Sequence, residues 1–151
     1  MSRTALDQGK FRSAPHTADV AIRLTAATRE GLFRALLRAL GRLYVGRRVL
    51  EPLESAPLQI DGPTLEDLLV RFANEIIYLV DARAMLPLAL HDAALTTGSG
   101  GFSLTADLPL GSLAKDGAGV DVELKAATYH RIKIVERRGG GALSATMVID
   151  I

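Results

Sequence analysis

Val20, Ile22 and Leu24 alternate with Ala21, Arg23 and Thr25, and a period of two predicts a strand. The period then lengthens. Leu32, Phe33, Leu36, Leu37, Leu40 and Leu43 recur at helical spacing, which predicts a helix from a Thr28 cap to about Tyr44, stopped by Val45-Gly46. Residues 51–57 hold Glu and Pro and read as a connection, and residues 57–60 read as a short strand closed by Asp61-Gly62-Pro63. Thr64 followed by Asp67 resembles a capping box with a short acidic partner. It opens a second helix with Leu65, Leu68, Leu69, Phe72, Ile76, Leu79 and Val80 on one face, ending near Arg83. Residues 88–97 and 102–107 predict a hairpin around Gly98-Ser99-Gly100-Gly101. Residues 109–119 read as a loop and residues 127–136 as a strand with Ile132 and Ile134 on one face. After a turn at 139–141, Leu143, Ala145, Met147 and Ile149 alternate with Ser144, Thr146, Val148 and Asp150 in a final strand. Strands interleaved with two helices, then a run of strands, predict an α+β fold with both helices on one face of a mostly antiparallel sheet. No internal repeat is visible. Residues 1–10 read as a loose polar tail and residues 11–151 as one domain.

Composition narrows the function classes. A chain of 151 residues makes one domain, or two small subdomains sharing a core. Hydrophobic residues at 48% and charged residues at 23% match a globular chain and not a disordered one. No apolar run reaches the roughly 18–20 residues of a membrane span, and residues 1–10 lack the apolar core of a secretory signal. The absence of Cys excludes disulfides, thiolate zinc sites, iron–sulfur clusters and Cys nucleophiles, and it fits a cytoplasmic location. Aromatics at 5%, with no Trp, argue against a base-stacking surface. A net charge of +1 argues against strong direct binding of nucleic acid.

That charge is unevenly laid out. Residues 1–48 hold ten Lys/Arg against three Asp/Glu, and residues 49–130 hold four against twelve. The chain therefore presents two surfaces of opposite sign, or solvated helix faces that merely differ in sign. Arg34, Arg38 and Arg42 line one stripe of the first helix and read as a solvated face.

The catalytic signatures are missing. His16, His91 and His130 form no metal-ligand pair, and neither a phosphate-binding P-loop nor a G-x-S-x-G nucleophile elbow occurs. The Gly98–Gly101 run lies between strands, whereas a phosphate cradle opens a helix. The polar residues of interest sit at strand edges: His16-Thr17-Ala18-Asp19 before the first strand, Lys125-Ala126-Ala127-Thr128-Tyr129-His130, and the terminal Asp150-Ile151. A terminal α-carboxylate beside Asp150, joined by a third carboxylate, would make a hard-oxygen site suited to Ca²⁺, Mg²⁺ or Mn²⁺. Alone, an Asp-X terminus reads as solvated. Lys125 and His130 are five residues apart, so on a regular strand they face opposite sides unless a bulge intervenes. Glu75 reads as lying on the exposed side of its helix.

Four segments together carry a resemblance: His16-Thr17-Ala18-Asp19, the helical run Leu68-Leu69-Val70-Arg71-Phe72-Ala73-Asn74-Glu75-Ile76-Ile77-Tyr78-Leu79, Lys125-Ala126-Ala127-Thr128-Tyr129-His130, and Val148-Ile149-Asp150-Ile151. In this order and spacing they resemble the archease family from about Phe11 onward. The resemblance implies two fused strand–helix–strand–strand modules packed as a two-layer β–α sandwich. It implies a non-enzymatic cofactor protein of the RtcB-type RNA ligase, which joins 3′-phosphate or cyclic-phosphate RNA ends to 5′-hydroxyl ends in tRNA splicing and RNA repair. The family member promotes guanylylation of the ligase and its multiple turnover.

The implied divalent-metal ligands are Asp19, Asp150 and the Ile151 carboxylate, with His16, Lys125 and His130 as candidates for the site rim. Three converging carboxylates repel unless a cation neutralises them. Two departures stand out. Arg71 occupies a position where the family often carries Trp, and the 109–119 loop has only Lys115 and Asp116 where family members tend to carry more charge. A chaperone-like modulator of several RNA-processing proteins is the alternative function.

Overall fold

The alternation along the last eight residues before Ile151 is the spine of the first sheet. The computed structural model describes residues 18–114, 119–139 and 141–151. In it, strand β8 (Leu143–Asp150) buries Leu143, Ala145, Met147 and Ile149 on one face. Strand β1 (Asp19–Ala26) pairs antiparallel along one side of β8, from Asp19 opposite Asp150 to Ala26 opposite Leu143. Two short strands, β6 (Ala126–Thr128) and β7 (Ile134–Glu136), share the other side.

The second sheet repeats this plan. Strand β5 (Gly101–Ser112) is central, β2 (Pro52–Gly62) runs along one side, and β3 (Met85–Pro87) and β4 (His91–Gly98) share the other. Helix α1 (Arg29–Val45) follows β1, and helix α2 (Leu65–Arg83) follows β2. The two modules are nested. The second, β2 to β5, is inserted between α1 and β6 of the first. This α+β architecture, with two antiparallel sheets and two helices, agrees with the expected class and adds the nesting.

Both helices start alike. Thr28 and Thr64 have extended backbones, and each hydroxyl accepts a backbone N–H of the first turn, from Gly31 and Asp67 respectively. This satisfies a donor that the helix itself leaves unpaired. Asp67 does not reach back to the Thr64 amide. Its shorter carboxylate instead accepts the Thr64 hydroxyl at 2.8 Å. One continuous core joins the helices to both sheets, with Phe33 and Phe72 meeting edge to face at 5.5 Å between centroids.

Several boundaries differ from the sequence reading. The connection expected at 51–57 is mostly strand, because β2 begins at Pro52. It pairs on one side only, and an edge strand tolerates Pro52 and Pro57, which lack a donor. The loop expected at 109–119 begins as strand, since β5 continues to Ser112. The Pro109 carbonyl accepts Leu88 N–H at 2.8 Å, so its donor-free nitrogen faces the junction where pairing passes from β4 to β3. The strand expected at 88–97 starts only at His91. Asp92 has φ 52°, and the register shifts between His91 and Ala94. The strand expected at 127–136 is two short strands, split by a turn in which Arg131 has φ 57°. The expected 1–10 tail, His16, Lys115 and Asp116 lie outside the described residues.

Helix α2 closes the outer edge of the first sheet. Asn74 Oδ1 accepts Ala127 N–H at 2.8 Å, and its Nδ2 donates to the Ala127 carbonyl at 3.3 Å. Two turns earlier, Glu66 Oε2 accepts Ile134 N–H at 3.2 Å. Side chains from a helix thus take the place of a neighbouring strand for β6 and β7, and blunt an edge that would otherwise be open to pairing.

Candidate metal centre at the β1–β8 strand ends

The β1–β8 register sets Asp19 directly opposite Asp150. Side chains at directly opposed positions lie on one face, with Cβ atoms about 4.5–5.5 Å apart. That face is the one turned away from the helices, because Ile22 and Leu24 of β1 and Met147 and Ile149 of β8 are buried on the other. Asp19 is exposed and Asp150 half-buried. One step further, Ile151 N–H donates to the Ala18 carbonyl at 3.1 Å, continuing the ladder past β8. The Ile151 side chain packs against the core. Its backbone is therefore anchored beside the strand positions of both Asp residues.

Asp150 is also held from the other side. Lys125 N–H donates to its carbonyl at 2.8 Å, and Ala126 is its register partner on β6. Strand β6 is in turn fixed by Asn74. Asp150 therefore sits in the middle of three hydrogen-bonded segments, a rigid mounting for a ligand.

Lys125 lies at this end of the sheet, exposed. His130 does not. Strand β6 runs away from Asp150 and ends at Thr128, and His130 stands two residues beyond that end. Its N–H donates to Thr128 Oγ1 in the turn before β7. His16 lies outside the described residues.

The chemistry of the donor set is clear from its composition. Like charges directly opposite one another across a strand pair destabilise the sheet unless neutralised. Among the described residues no three His, Asp or Glu side chains cluster as a metal site. The candidate oxygen groups at this corner are the two opposed side-chain carboxylates of Asp19 and Asp150. An all-oxygen, anionic set of this kind fits a hard divalent cation and not a soft one. The corresponding corner of the second module is different: β2 begins with Pro52 opposite Gly111 and its Glu54 stands opposite Leu110, so no two carboxylates are opposed there. The two modules share a plan, and only one carries the acidic pair.

Residues 11–151 match the model of the Archease protein family (MTH1598/TM1083). The chain belongs to the archease family. Protein archease of Pyrococcus furiosus is 31% identical over 136 residues, covering 90% of this chain and 94% of the relative. Protein archease of Pyrobaculum neutrophilum is 30% identical, covering 93% and 95%. Among solved structures, protein 1598 of Methanobacterium thermoautotrophicum superposes with a TM-score of 0.73 at 21% identity, covering 91% of this chain and 96% of that one. The Thermotoga maritima archease, described as a possible chaperone, superposes with a TM-score of 0.61 at 21% identity. These two likenesses establish the archease fold.

Two contributors to the site escaped the sequence reading. Asn74 was visible only as one letter of the helical run. The available signal is an amide on the half-buried side of an amphipathic helix, where its donors and acceptor must find partners. The Lys125 main chain was hidden because a backbone contact leaves no mark in residue type. No helix among the described residues is long and apolar enough to cross a membrane.

Proposed function

We propose that this archease is a non-enzymatic, divalent-cation-binding cofactor protein that promotes guanylylation and multiple turnover of an RtcB-type RNA ligase in tRNA splicing and RNA repair, acting in the cytoplasm. Family membership supports the partner. The single observation carrying the metal reading is the register that opposes Asp19 and Asp150 beside the anchored Ile151. Asp19, Asp150 and the Ile151 carboxylate would hold Ca²⁺, Mg²⁺ or Mn²⁺. His16 and Lys125 would stand at the rim, whereas His130 stands two residues past β6 in the turn before β7. A divalent cation in such a site supplies Lewis acidity toward phosphate oxygens. The chain's own part is to keep three carboxylates converged at the sheet end, through the β1–β8 ladder and the Lys125–Asp150 bond.

The test is transfer of labelled GMP from GTP to the cognate ligase, with and without this protein. The wild-type chain raises the guanylylated fraction and allows repeated turnover, and Asp19→Ala does neither. Identical labelling with and without the wild-type chain contradicts the proposal. Capture of many weakly bound RNA-processing proteins, with no dominant ligase, would replace it with the chaperone-like reading.

A further inference from the structure

A second feature lies where the two helices end. Helix α1 stops at Val45 and α2 at Arg83. Between their C-terminal ends is an open cleft of about 320 Å³, walled by Val80, Leu113 and Val120, with Tyr44 inside and Asp81 and Glu123 exposed at its mouth. Tyr44 is 1% exposed, and its hydroxyl has no hydrogen-bond partner among the described residues. Buried hydroxyls are almost always paired, and this one belongs to a residue lining the cleft.

The cleft is built. Asp121 N–H donates to the Tyr44 carbonyl at 2.7 Å, and Leu113 N–H to the Ala84 carbonyl at 2.8 Å. Arg48 donates to the Gly119 carbonyl at 3.0 Å and to Asp121 at 3.2 Å, pinning the 119–121 wall to the end of α1.

Its electrostatics select a cation. Arg48 caps the end of α1 by donating to the Tyr44 and Val45 carbonyls, whereas the end of α2 brings partial negative charge beside the Asp81 and Glu123 carboxylates. Burial pushes the Tyr44 phenol up from its ordinary value, and the negative charges of Asp81 and Glu123 add to the shift. The group is therefore a neutral hydroxyl, able to accept one hydrogen bond and donate another.

A bare metal ion does not match this cleft. It offers two carboxylates, apolar walls and more room than an ion fills, whereas hard divalent cations take six or more oxygens. Methylenes against the walls and a charged head among Tyr44, Asp81 and Glu123 match a long cationic side chain. The cleft is open on one side, as a side chain entering from another surface requires, while free small ligands are mostly enclosed.

We propose that this cleft receives an arginine or lysine side chain of a partner protein. Glu123 stands two residues before Lys125, whose N–H binds Asp150. The partner would therefore dock at the end of the molecule that carries the Asp19–Asp150 pair. The inference does not depend on cation binding there.

The experiment uses the full chain and blocked Gly-Arg-Gly, Gly-Lys-Gly and Gly-citrulline-Gly tripeptides, read by NMR titration with chelator present. Citrulline keeps the shape of arginine and removes the charge. Saturable shifts at Tyr44, Val80 and Val120 are expected with the Arg or Lys peptide, with the citrulline peptide at least tenfold weaker. Asp81→Asn/Glu123→Gln lowers the affinity at least tenfold, and Tyr44→Phe lowers it severalfold. Asp19→Ala leaves it unchanged, so failure of the metal reading and failure of this one are distinguishable. Both acidic positions are exposed, so their variant keeps the fold. Equal binding of the citrulline peptide, no saturable shift, or tighter binding of spermidine than of either cationic peptide overturns the proposal.

Discussion

Replacing Asn74 with alanine opens the outer edge of β6, and its cost can be worked from two hydrogen bonds. The lost contacts are Oδ1 to Ala127 N–H at 2.8 Å and Nδ2 to the Ala127 carbonyl at 3.3 Å. Ala127 is buried, so the variant leaves a backbone donor and an acceptor without partners in a place water reaches poorly. An orphaned buried polar group costs about 1–3 kcal/mol. The donor with the short bond bears the larger share, and the pair together comes to about 2–4 kcal/mol. For a domain of this size that lowers Tm by about 4–16 °C, out of a total stability of about 5–15 kcal/mol. Urea unfolding followed by circular dichroism reads the first effect, and hydrogen exchange at the Ala127 amide localises it. The loss also travels. Lys125, two residues before Ala127, binds the Asp150 carbonyl, so cation affinity falls in the same variant. A variant within 0.5 kcal/mol of the parent, with the Ala127 amide still protected, refutes the claim that α2 completes this sheet.

Three further variants probe other parts of the account. Tyr44→Phe removes a buried hydroxyl that has no partner among the described residues and leaves the ring unchanged, so it is neutral or stabilises by about 1 kcal/mol in urea unfolding; a loss of that size contradicts the assignment. Gly101→Ala places a Cβ 2.4 Å from the Gly62 carbonyl oxygen and 2.8 Å from Pro63 Cα, at φ 120°. Overpacking and backbone strain together cost about 2–6 kcal/mol, and unchanged thermal unfolding rules this out. Thr64→Ala removes the cap on α2 and costs about 1 kcal/mol, with faster amide exchange at Asp67 as the local sign.

The helices were legible because their apolar stripes, Thr caps and Gly46 stop all point one way. The alternation of β1 and β8 was equally plain, and the register that sets Asp19 opposite Asp150 followed once those strands were neighbours. The interrupted strands were not legible. Asp92 and Arg131 adopt positive φ; Asp favours that region only weakly and Arg does not. The extended strands were masked by Pro52, Pro57 and Pro109, which read as breakers and are tolerated at one-sided or interrupted pairing. The nested repeat was hidden because the modules share topology and cap geometry, while their strand ends differ: Asp19 and Asp150 in one, Pro52 and Gly111 in the other. Tyr44 read only as the end of the first helix, and its hydroxyl took on meaning only when the cleft between the helix ends was seen.

The central claim, that the strand ends of β1 and β8 hold a divalent cation, is tested most directly by calorimetric titration of Mn²⁺ or Ca²⁺. The comparison sets the wild-type chain beside Asp19→Ala and beside a chain extended past Ile151, which moves the terminal carboxylate. The account predicts one saturable site in the wild type, weakened at least tenfold by each change. Equal affinity in all three proteins would contradict it.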